Sequence, residues 1–299
     1  MSANRITHSN EISDSINITN IEKYGRYFDI GMYYQKSQNF RIRGKEKLEF
    51  ALLNAVRFGF VSPVVCGEIW QTQRHKTLAS LNKMVADGFL ISVNTSRIID
   101  GRIYVPSYNG ANYAKELMRV DFSFRSTSEP IQQVNRNSIM HDAILSYVIA
   151  SGIHNCDFNG NHKPLWQAVA TEMEFKRLYP SNDVKNVDAV ALLNNNQVAA
   201  IEIEHSYKRK EQHQASLLKF RNAILGKHKL YDKVFLVVAS DKIHRDTQRF
   251  YEQLLQEMPS RYDKKSRQPL LTEDEAQQLQ ERIVFRTKFI DGINKLFYS

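Results

Sequence analysis

The sequence predicts a two-domain chain of α+β or α/β class, in which helices and a hairpin precede a domain built on a mixed sheet. In the first half, apolar residues recur at helical spacing between breaks marked by glycine or proline. In the second half, short apolar runs typical of strands alternate with helical stretches. The length of 299 residues agrees with two domains, at about 100–200 residues for each.

The composition is that of an ordinary globular protein with a surplus of positive charge. Lys and Arg number 41 against 32 Asp and Glu, which gives a net charge of +9. No apolar run is long enough to span a membrane, and two cysteines are too few for a disulfide framework or a zinc cluster. We therefore expect a cytoplasmic protein with no membrane partner. The positive charge favours a polyanionic partner, such as double-stranded DNA.

Changes in composition divide the chain into four segments. Residues 1–43 are polar, and we expect them to be partly disordered, with order beginning near Tyr27–Tyr34 as a strand. Residues 44–119 form the first domain, and 138–299 form the second. Between them, 120–137 contains Ser, Thr, Pro and mixed charge without an apolar period, which predicts a linker.

The first domain carries signals for three helices. Apolar residues within Leu48–Val56 fall at offsets 0, 3, 4, 7 and 8, which is one face of an amphipathic helix. Ser62 followed by proline is typical of a helix start, and we expect this second helix to end near Trp70. Thr72 is the predicted cap of a third helix, which Gly88 ends in a left-handed conformation.

A hairpin follows the three helices. Phe89–Val93 and Arg102–Val105 have the composition of strands, and the residues between them read as a turn. This order of a helix, a short helix, a third helix and a hairpin is typical of a winged helix-turn-helix domain. The alternative is a small helical domain whose hairpin binds another protein.

A winged helix binds DNA through the start of its third helix and through its hairpin, the wing. Gln and Arg near the helix start can form paired hydrogen bonds with adenine and guanine edges. The candidate DNA-binding residues are Thr72, Gln73, Arg74, His75 and Lys76 on the helix, with Arg97 and Arg102 on the hairpin. The alternative is a basic helix start that is merely solvated.

Carboxylates are concentrated on a predicted hairpin of the second domain. Asp188 begins a strand that ends at Leu193, and Val198–Glu204 forms the next strand. Glu202 and Glu204 are two residues apart, so they project from the same face and can approach Asp188. Such a group either holds a divalent cation, Mg²⁺ or Mn²⁺, or has raised pKa values. The alternative is a solvated strand face.

Two other residues complete the candidate site. Glu172, in a stretch that could be helix or strand, is a candidate fourth carboxylate, and Lys208 is a basic residue just beyond the hairpin. A metal held by these carboxylates suits phosphodiester hydrolysis, because it activates water and offsets transition-state charge. The chain has no glycine-rich phosphate loop, so we expect neither a nucleotide nor an organic cofactor.

These residues resemble the signature of the PD-(D/E)XK nuclease superfamily. Glu172, Asp188 and Glu202 match its three acidic positions. The superfamily's lysine is missing, because position 204 is glutamate. The resemblance implies that Lys208 would have to supply the role of that lysine, which is to hold the attacking water.

The chain also resembles the replication–relaxation family of plasmid mobilisation accessory proteins, over most of residues 44–240. The matching residues are His141, Trp166 with Glu172, Asp188, and Glu202-Ile203-Glu204. The resemblance implies a winged helix joined to a nuclease-like domain, acting with a relaxase in conjugation.

Three hypotheses follow. The first is a DNA-binding accessory protein of plasmid or mobile-element DNA processing, whose nuclease-like domain grips DNA or a partner. The second is a Mg²⁺-dependent nickase or endonuclease that uses Asp188, Glu202 and Glu172. The third is a transcriptional autorepressor whose second domain dimerises. A homodimer would suit a palindromic DNA site.

Overall fold

The computed structural model describes residues 20–120, 128–227 and 229–298. It is a mixed α+β chain with a two-stranded sheet in its first half and a five-stranded sheet in its second. The structure does not describe residues 1–19, where disorder is expected, or residues 121–127, the middle of the expected linker.

The first half contains five helices and a hairpin within the described residues. In chain order these are α1 (Asn20–Phe28), α2 (Phe40–Phe58), α3 (Pro63–Trp70), α4 (Arg74–Ala86), β1 (Leu90–Asn94), β2 (Arg102–Pro106) and α5 (Tyr108–Met118). Strands β1 and β2 pair antiparallel, from Leu90 opposite Pro106 to Asn94 opposite Arg102. The three predicted helices and the predicted hairpin are confirmed.

The ends of α3 and α4 test the predicted caps. Ser62 Oγ accepts the amide N–H of Val65 at 3.3 Å, and Gly88 has a φ of 80°. Both predictions are confirmed. The cap predicted at Thr72 is wrong, because Gln73 occupies the N-cap of α4 and makes no side-chain cap bond. The Thr72 hydroxyl lies 2.8 Å from that of buried Thr77, so Thr72 turns towards the protein interior.

The strand expected at Tyr27–Tyr34 is also wrong, since this region begins with the end of helix α1. Tyr24 and Tyr27 are three residues apart, which puts both on the buried face of that helix. The ring of Tyr24 packs against Phe175 and Tyr179, and its hydroxyl donates to the carbonyl of Leu230 at 3.0 Å. The N-terminal helix therefore belongs to the core of the second half.

The second half is built around the five-stranded sheet. Its elements are α6 (Ile139–Ile153), β3 (Ala168–Thr171), α7 (Glu172–Leu178), β4 (Ala189–Leu192), β5 (Val198–Glu204), α8 (Lys210–Leu225), β6 (Lys233–Val238), α9 (Asp241–Glu257), α10 (Glu273–Arg282), β7 (Ile283–Arg286) and α11 (Ile290–Ile293). Short 3-10 turns lie at Pro130–Gln133 and Met258–Ser260, and a π turn at Asn294–Tyr298.

The strands lie in the order β3-β4-β5-β6-β7. Strand β4 pairs antiparallel with both β3 and β5, whereas β6 pairs parallel with both β5 and β7. The predicted mixed sheet is confirmed. Because β5 and β6 are parallel, their C-terminal ends meet at one edge of the sheet, the edge at which α/β proteins bind ligands.

A buried ion pair joins the two halves. Arg57 of α2 donates from Nε and Nη2 to the two carboxylate oxygens of Glu174 in α7, at 2.9 and 2.7 Å. The same Nη2 donates to the carbonyl of Val169 in β3 at 2.6 Å. The buried residues of both halves form one continuous hydrophobic core. Within the described ranges, no helix is long and apolar enough to cross a membrane.

Candidate functional site

Hairpin β4–β5 brings the three predicted carboxylates together. Ala189 pairs with Ile201, so Asp188, one residue earlier, faces Glu202 across the hairpin. The Asp188 carboxylate accepts the amide N–H of Ile203 at 2.7 Å, which fixes its position. Asp188, Glu202 and Glu204 are at least nine-tenths buried. The predicted approach of Asp188 and Glu202 is confirmed, and the alternative of a solvated strand face is wrong.

Two lysines neutralise these carboxylates. Lys208 Nζ lies 2.9 Å from Glu204 Oε2 and 3.8 Å from Glu202 Oε1. From the other side, Lys185 Nζ lies 2.7 Å from Glu202 Oε1. Lys208 thus places an ammonium between the two glutamates. Lys185 supplies a second ammonium that the sequence did not indicate.

Helix α6 contributes His141, whose Nε2 lies 3.1 Å from Asp188 Oδ1. Burial disfavours the charged imidazolium, but the hydrogen bond and charge of Asp188 outweigh it and raise the pKa of His141 to about 9. His141 is therefore cationic at neutral pH. The ring of His205, just after β5, lies 5.1 Å from that of His141, measured between centroids. Burial, with the positive charges of His141 and Lys208 next, lowers the pKa of His205.

The acids of the cluster respond differently to burial. Burial and the charge of Asp188 raise the pKa of Glu202 to about 7, despite the nearby lysines. Burial also raises the pKa of Glu204. Burial favours the protonated form of Asp188 too, but the hydrogen bond and charge of His141 prevail and lower its pKa. The contacts of Asp188 therefore favour its carboxylate form, whereas burial favours the protonated form of Glu202.

A further acid lies beside His141 on the same helix. Asp142 accepts a hydrogen bond from Ser138 Oγ at 2.7 Å. Burial raises the pKa of Asp142 to about 6, against the opposing effect of that hydrogen bond. Asp142 therefore borders the carboxylate cluster as a second group that titrates close to neutrality.

The side chain of Glu172 pairs with a lysine of its own helix and not with the other predicted carboxylates. Glu172 is the first residue of α7, and its carboxylate pairs with Lys176 one turn later, at 2.5 Å, on a partly exposed face. Its backbone N–H does donate to the carbonyl of Asp188 at 2.9 Å. The acid of this helix that is buried is Glu174, which is bound to Arg57 rather than to the cluster.

The fit of a divalent cation to this cluster is mixed. Carboxylate oxygens suit Mg²⁺ or Mn²⁺, and Glu202 Oε2 is buried with no hydrogen-bond partner among the described residues. The ammonium groups of Lys185 and Lys208, however, lie where a cation would bind Glu202 and Glu204. Among the residues that the structure describes, no three His, Cys, Asp or Glu side chains are arranged to hold a metal ion.

The candidate DNA-binding residues form a second polar region, around the start of α4. Gln73, Arg74, His75 and Lys76 are all exposed, whereas Thr72 is half-buried. Arg74 forms an ion pair with Asp100, a buried residue of the hairpin turn. Arg97 is exposed on the same turn, and Arg102 on β2 is half-buried. The Arg74–Asp100 pair therefore fixes the start of α4 to the hairpin.

The sequence did not single out Lys185 or Asp142, and His141 was named only as a residue that matches the mobilisation accessory proteins. The one local signal was the proximity of Lys185 to Asp188, three residues later at the start of a strand. Nothing in the sequence indicates that α6 lies against β5. No protein family model matches this chain, and no curated protein or solved structure is significantly similar to it.

Proposed function

We propose that this protein binds double-stranded DNA through a winged helix-turn-helix formed by α2, α3, α4 and the β1–β2 hairpin. In this arrangement α4 is the recognition helix and the hairpin is the wing. The start of α4 would enter the major groove, and the turn of the hairpin would reach the adjacent backbone.

The observation that supports this most is the exposed start of α4 and its ion pair with the hairpin. Gln73–Lys76 are four consecutive exposed side chains capable of contacting bases or phosphates. The Arg74–Asp100 pair links the start of α4 to the hairpin turn that carries Arg97. A surface fixed in advance loses less conformational freedom on binding than a mobile one.

In this proposal the second domain is a nuclease-like scaffold that grips DNA or a partner. The lysines on Glu202 and Glu204 support this role, because they neutralise the buried carboxylates from within the chain. A setting in plasmid or mobile-element DNA processing, with a relaxase as partner, rests on the resemblance to mobilisation accessory proteins alone.

The test is binding to duplex DNA from the protein's native locus, followed by fluorescence anisotropy at several salt concentrations. The substitutions are Lys76→Ala and Arg97→Ala together, because both side chains are exposed. Arg74 is a poorer choice, since its removal would leave the Asp100 carboxylate buried without its partner. We expect the double variant to bind duplex DNA at least about tenfold more weakly.

The matched control is Lys264→Ala with Lys265→Ala, two exposed lysines in the loop before α10. It removes the same charge from another part of the surface. Equal weakening in both double variants would contradict the winged-helix interface and indicate a nonspecific charge effect. Protection of the protein's own promoter alone in a footprint would favour the autorepressor hypothesis over an accessory role.

A Mg²⁺-dependent nickase or endonuclease is the second candidate function. It is favoured by one observation, the Lys208 ammonium between Glu202 and Glu204, where it could hold and activate a water molecule. Asp188, Glu202 and Glu204 would be the ligands of Mg²⁺ or Mn²⁺, which would supply Lewis-acid stabilisation of the phosphodiester transition state. The cation would first have to displace an ammonium from Glu202 or Glu204.

This candidate is tested by nicking of a supercoiled plasmid carrying the native locus, in Mg²⁺ or Mn²⁺. The comparison is with Asp188→Asn and with Lys208→Met. Metal-dependent relaxation that both substitutions abolish would establish the nuclease. Relaxation that persists in both variants would come from a contaminant, and no relaxation by the unaltered protein would eliminate the candidate in the isolated chain.

A further inference from the structure

A cavity outside the two regions above opens at the C-terminal ends of β5 and β6. Its volume is about 240 Å³, and it lies between the first turns of α8 and α9. The side chains used in the argument below are Tyr207, Lys208, His213, Lys242, Asp246 and Phe250. Lys208 also belongs to the carboxylate cluster, so the cavity and the cluster adjoin.

Aromatic rings form one side of this cavity. Tyr207 is 68% exposed, and its ring lies 6.3 Å from that of Phe250, between centroids, in an edge-to-face arrangement. The Phe250 ring packs in turn on His213, at 5.7 Å. An exposed tyrosine at the mouth of a cavity provides a flat apolar face for a planar ligand.

His213 provides a polar group in the wall of the cavity. It is 2% exposed, and its Nδ1 has no hydrogen-bond partner among the described residues. Burial, followed by the charge of Lys208, lowers the pKa of His213 to about 4, so the ring is neutral at pH 7. A neutral imidazole can donate or accept one hydrogen bond at this atom. A buried polar group without a partner is costly, so a ligand that bonds it gains stability.

The rim of the cavity carries one ammonium group that the carboxylate cluster does not use. Lys242 provides it and Asp246 provides a carboxylate, whereas the ammonium of Lys208 is paired with Glu204. Helix α9 begins at Asp241, and Lys242 and Ile243 of its first turn line the cavity. The helix dipole favours negative charge at the start of a helix.

We propose that this cavity binds one nucleotide unit of an unpaired DNA strand. The base stacks on Tyr207 and bonds His213, while its phosphate lies against Lys242. At about 240 Å³ the cavity is smaller than the roughly 300–1,000 Å³ of sites for drug-sized ligands, so it takes a base but not a longer segment.

This inference rests on the proposed function, since it assigns a strand of DNA to the nuclease-like domain. It adds that the second domain binds unpaired DNA, whereas the winged helix binds duplex. Lys208 lines the cavity and pairs with Glu204, so a nucleotide held here would lie next to the carboxylate cluster. Such a placement suits a protein that handles a locally melted strand beside a duplex site.

The experiment measures anisotropy of three labelled probes on the full chain: a single-stranded oligonucleotide, a blunt duplex of the same sequence and a mononucleotide. The variant is Tyr207→Ala, and the matched control is Tyr262→Ala, which removes a similarly exposed tyrosine from another loop. We expect Tyr207→Ala to weaken binding of the single strand at least about fivefold. Duplex binding should be unchanged, and the control should behave like the unaltered protein.

A second variant, Lys242→Ala, should weaken single-strand binding and reduce its dependence on salt, because it removes a phosphate contact. Unchanged single-strand binding in both variants would overturn the inference, as would equal weakening of single-strand and duplex binding by Tyr207→Ala. Failure of the winged-helix proposal would give a different result. Lys76→Ala with Arg97→Ala would then leave duplex binding unchanged, while Tyr207→Ala would still weaken binding of the single-stranded oligonucleotide.

Discussion

At the scale of single residues, the carboxylate cluster is defined by the hydrogen bond between His141 and Asp188. The imidazolium stabilises the buried aspartate, and the aspartate keeps the imidazole protonated above its ordinary range. With Lys185 and Lys208, His141 brings three positive charges to three carboxylates. The cluster is therefore balanced in charge when every group is ionised, which reduces the cost of burying it.

The pH dependence of stability should reveal this hydrogen bond. The pKa of His141 is raised from 6.5 to about 9 in the folded chain. The contribution of the protonated histidine to the free energy of unfolding is therefore complete below pH 6.5 and is lost as the pH rises through 9. We expect His141→Gln to lower the free energy of unfolding by about 1–3 kcal/mol at pH 6 and by less at pH 9.5. Urea unfolding at both pH values measures this.

The control for this prediction is His75→Gln, which alters an exposed histidine at the start of α4. It should change the free energy of unfolding little at either pH. A loss in His141→Gln that is the same at pH 6 and pH 9.5 would mean that packing, rather than charge, is what His141 contributes.

At the scale of elements, Gly152 allows α6 to pack closely against Trp166, which lies two residues before β3. A Cβ built on Gly152 would lie 2.1 Å from the indole of Trp166, which is far inside contact distance. Trp166 is buried, and its Nε1 donates to the carbonyl of Ile149, also in α6, at 2.9 Å. This close approach helps to hold the helix that carries His141 in its place beside the sheet.

Two glycines inside helices should respond in opposite ways to alanine. Gly152→Ala forces Trp166 or α6 to move, and we expect a loss of about 1–3 kcal/mol in the free energy of unfolding. Gly44→Ala, in α2, meets nothing within 4 Å, so we expect no loss or a gain of about 0.5–1 kcal/mol. Thermal and urea unfolding of both variants check this. Destabilisation by both would argue against the close approach in α6.

At the scale of the whole molecule, the Arg57–Glu174 pair joins the half that carries the proposed DNA-binding surface to the half that carries the carboxylates. Both partners are almost fully buried, and the guanidinium engages the carboxylate with two hydrogen bonds. Removing one partner of such a pair leaves an uncompensated charge in the interior. The chain is therefore stable only when the two halves pack together so that Arg57 and Glu174 form this pair.

A double-mutant cycle tests this coupling. We expect Arg57→Met to lower the free energy of unfolding by about 3–5 kcal/mol, because Glu174 is left buried with its charge. Adding Glu174→Gln should recover part of that loss, since the remaining group is then neutral. Chemical denaturation of the two single variants and the double variant provides the measurement. Strictly additive effects would show that the two side chains act independently.

Charge distribution over the molecule gives a further prediction, for the salt dependence of duplex binding. Each phosphate contact contributes about 0.9 to the slope of log affinity against log salt. Removing Lys76 and Arg97 should therefore reduce the magnitude of that slope by up to about 1.8. Titrations between low and moderate salt measure the slope. An unchanged slope would mean that neither side chain neutralises a phosphate.

The sequence by itself determined the local elements and the pairing of the carboxylates. Helical spacing identified α2, turn residues marked the β1–β2 hairpin, and alternation along Val198–Glu204 put Glu202 and Glu204 on one face opposite Asp188. These features could be predicted because they depend on neighbours in the chain. The cap at Thr72 and the strand at Tyr27–Tyr34 failed because tertiary contacts overrode weak local preferences.

Only the tertiary structure decided which other groups meet the carboxylates. It brought His141 and Lys185 to the cluster, turned the side chain of Glu172 outward to Lys176, and paired Glu174 with Arg57 across the two halves. The physical reason is that helix and strand patterns report which face of an element is buried. They do not report which element covers that face, and in this chain the covering helix supplies the histidine of the site.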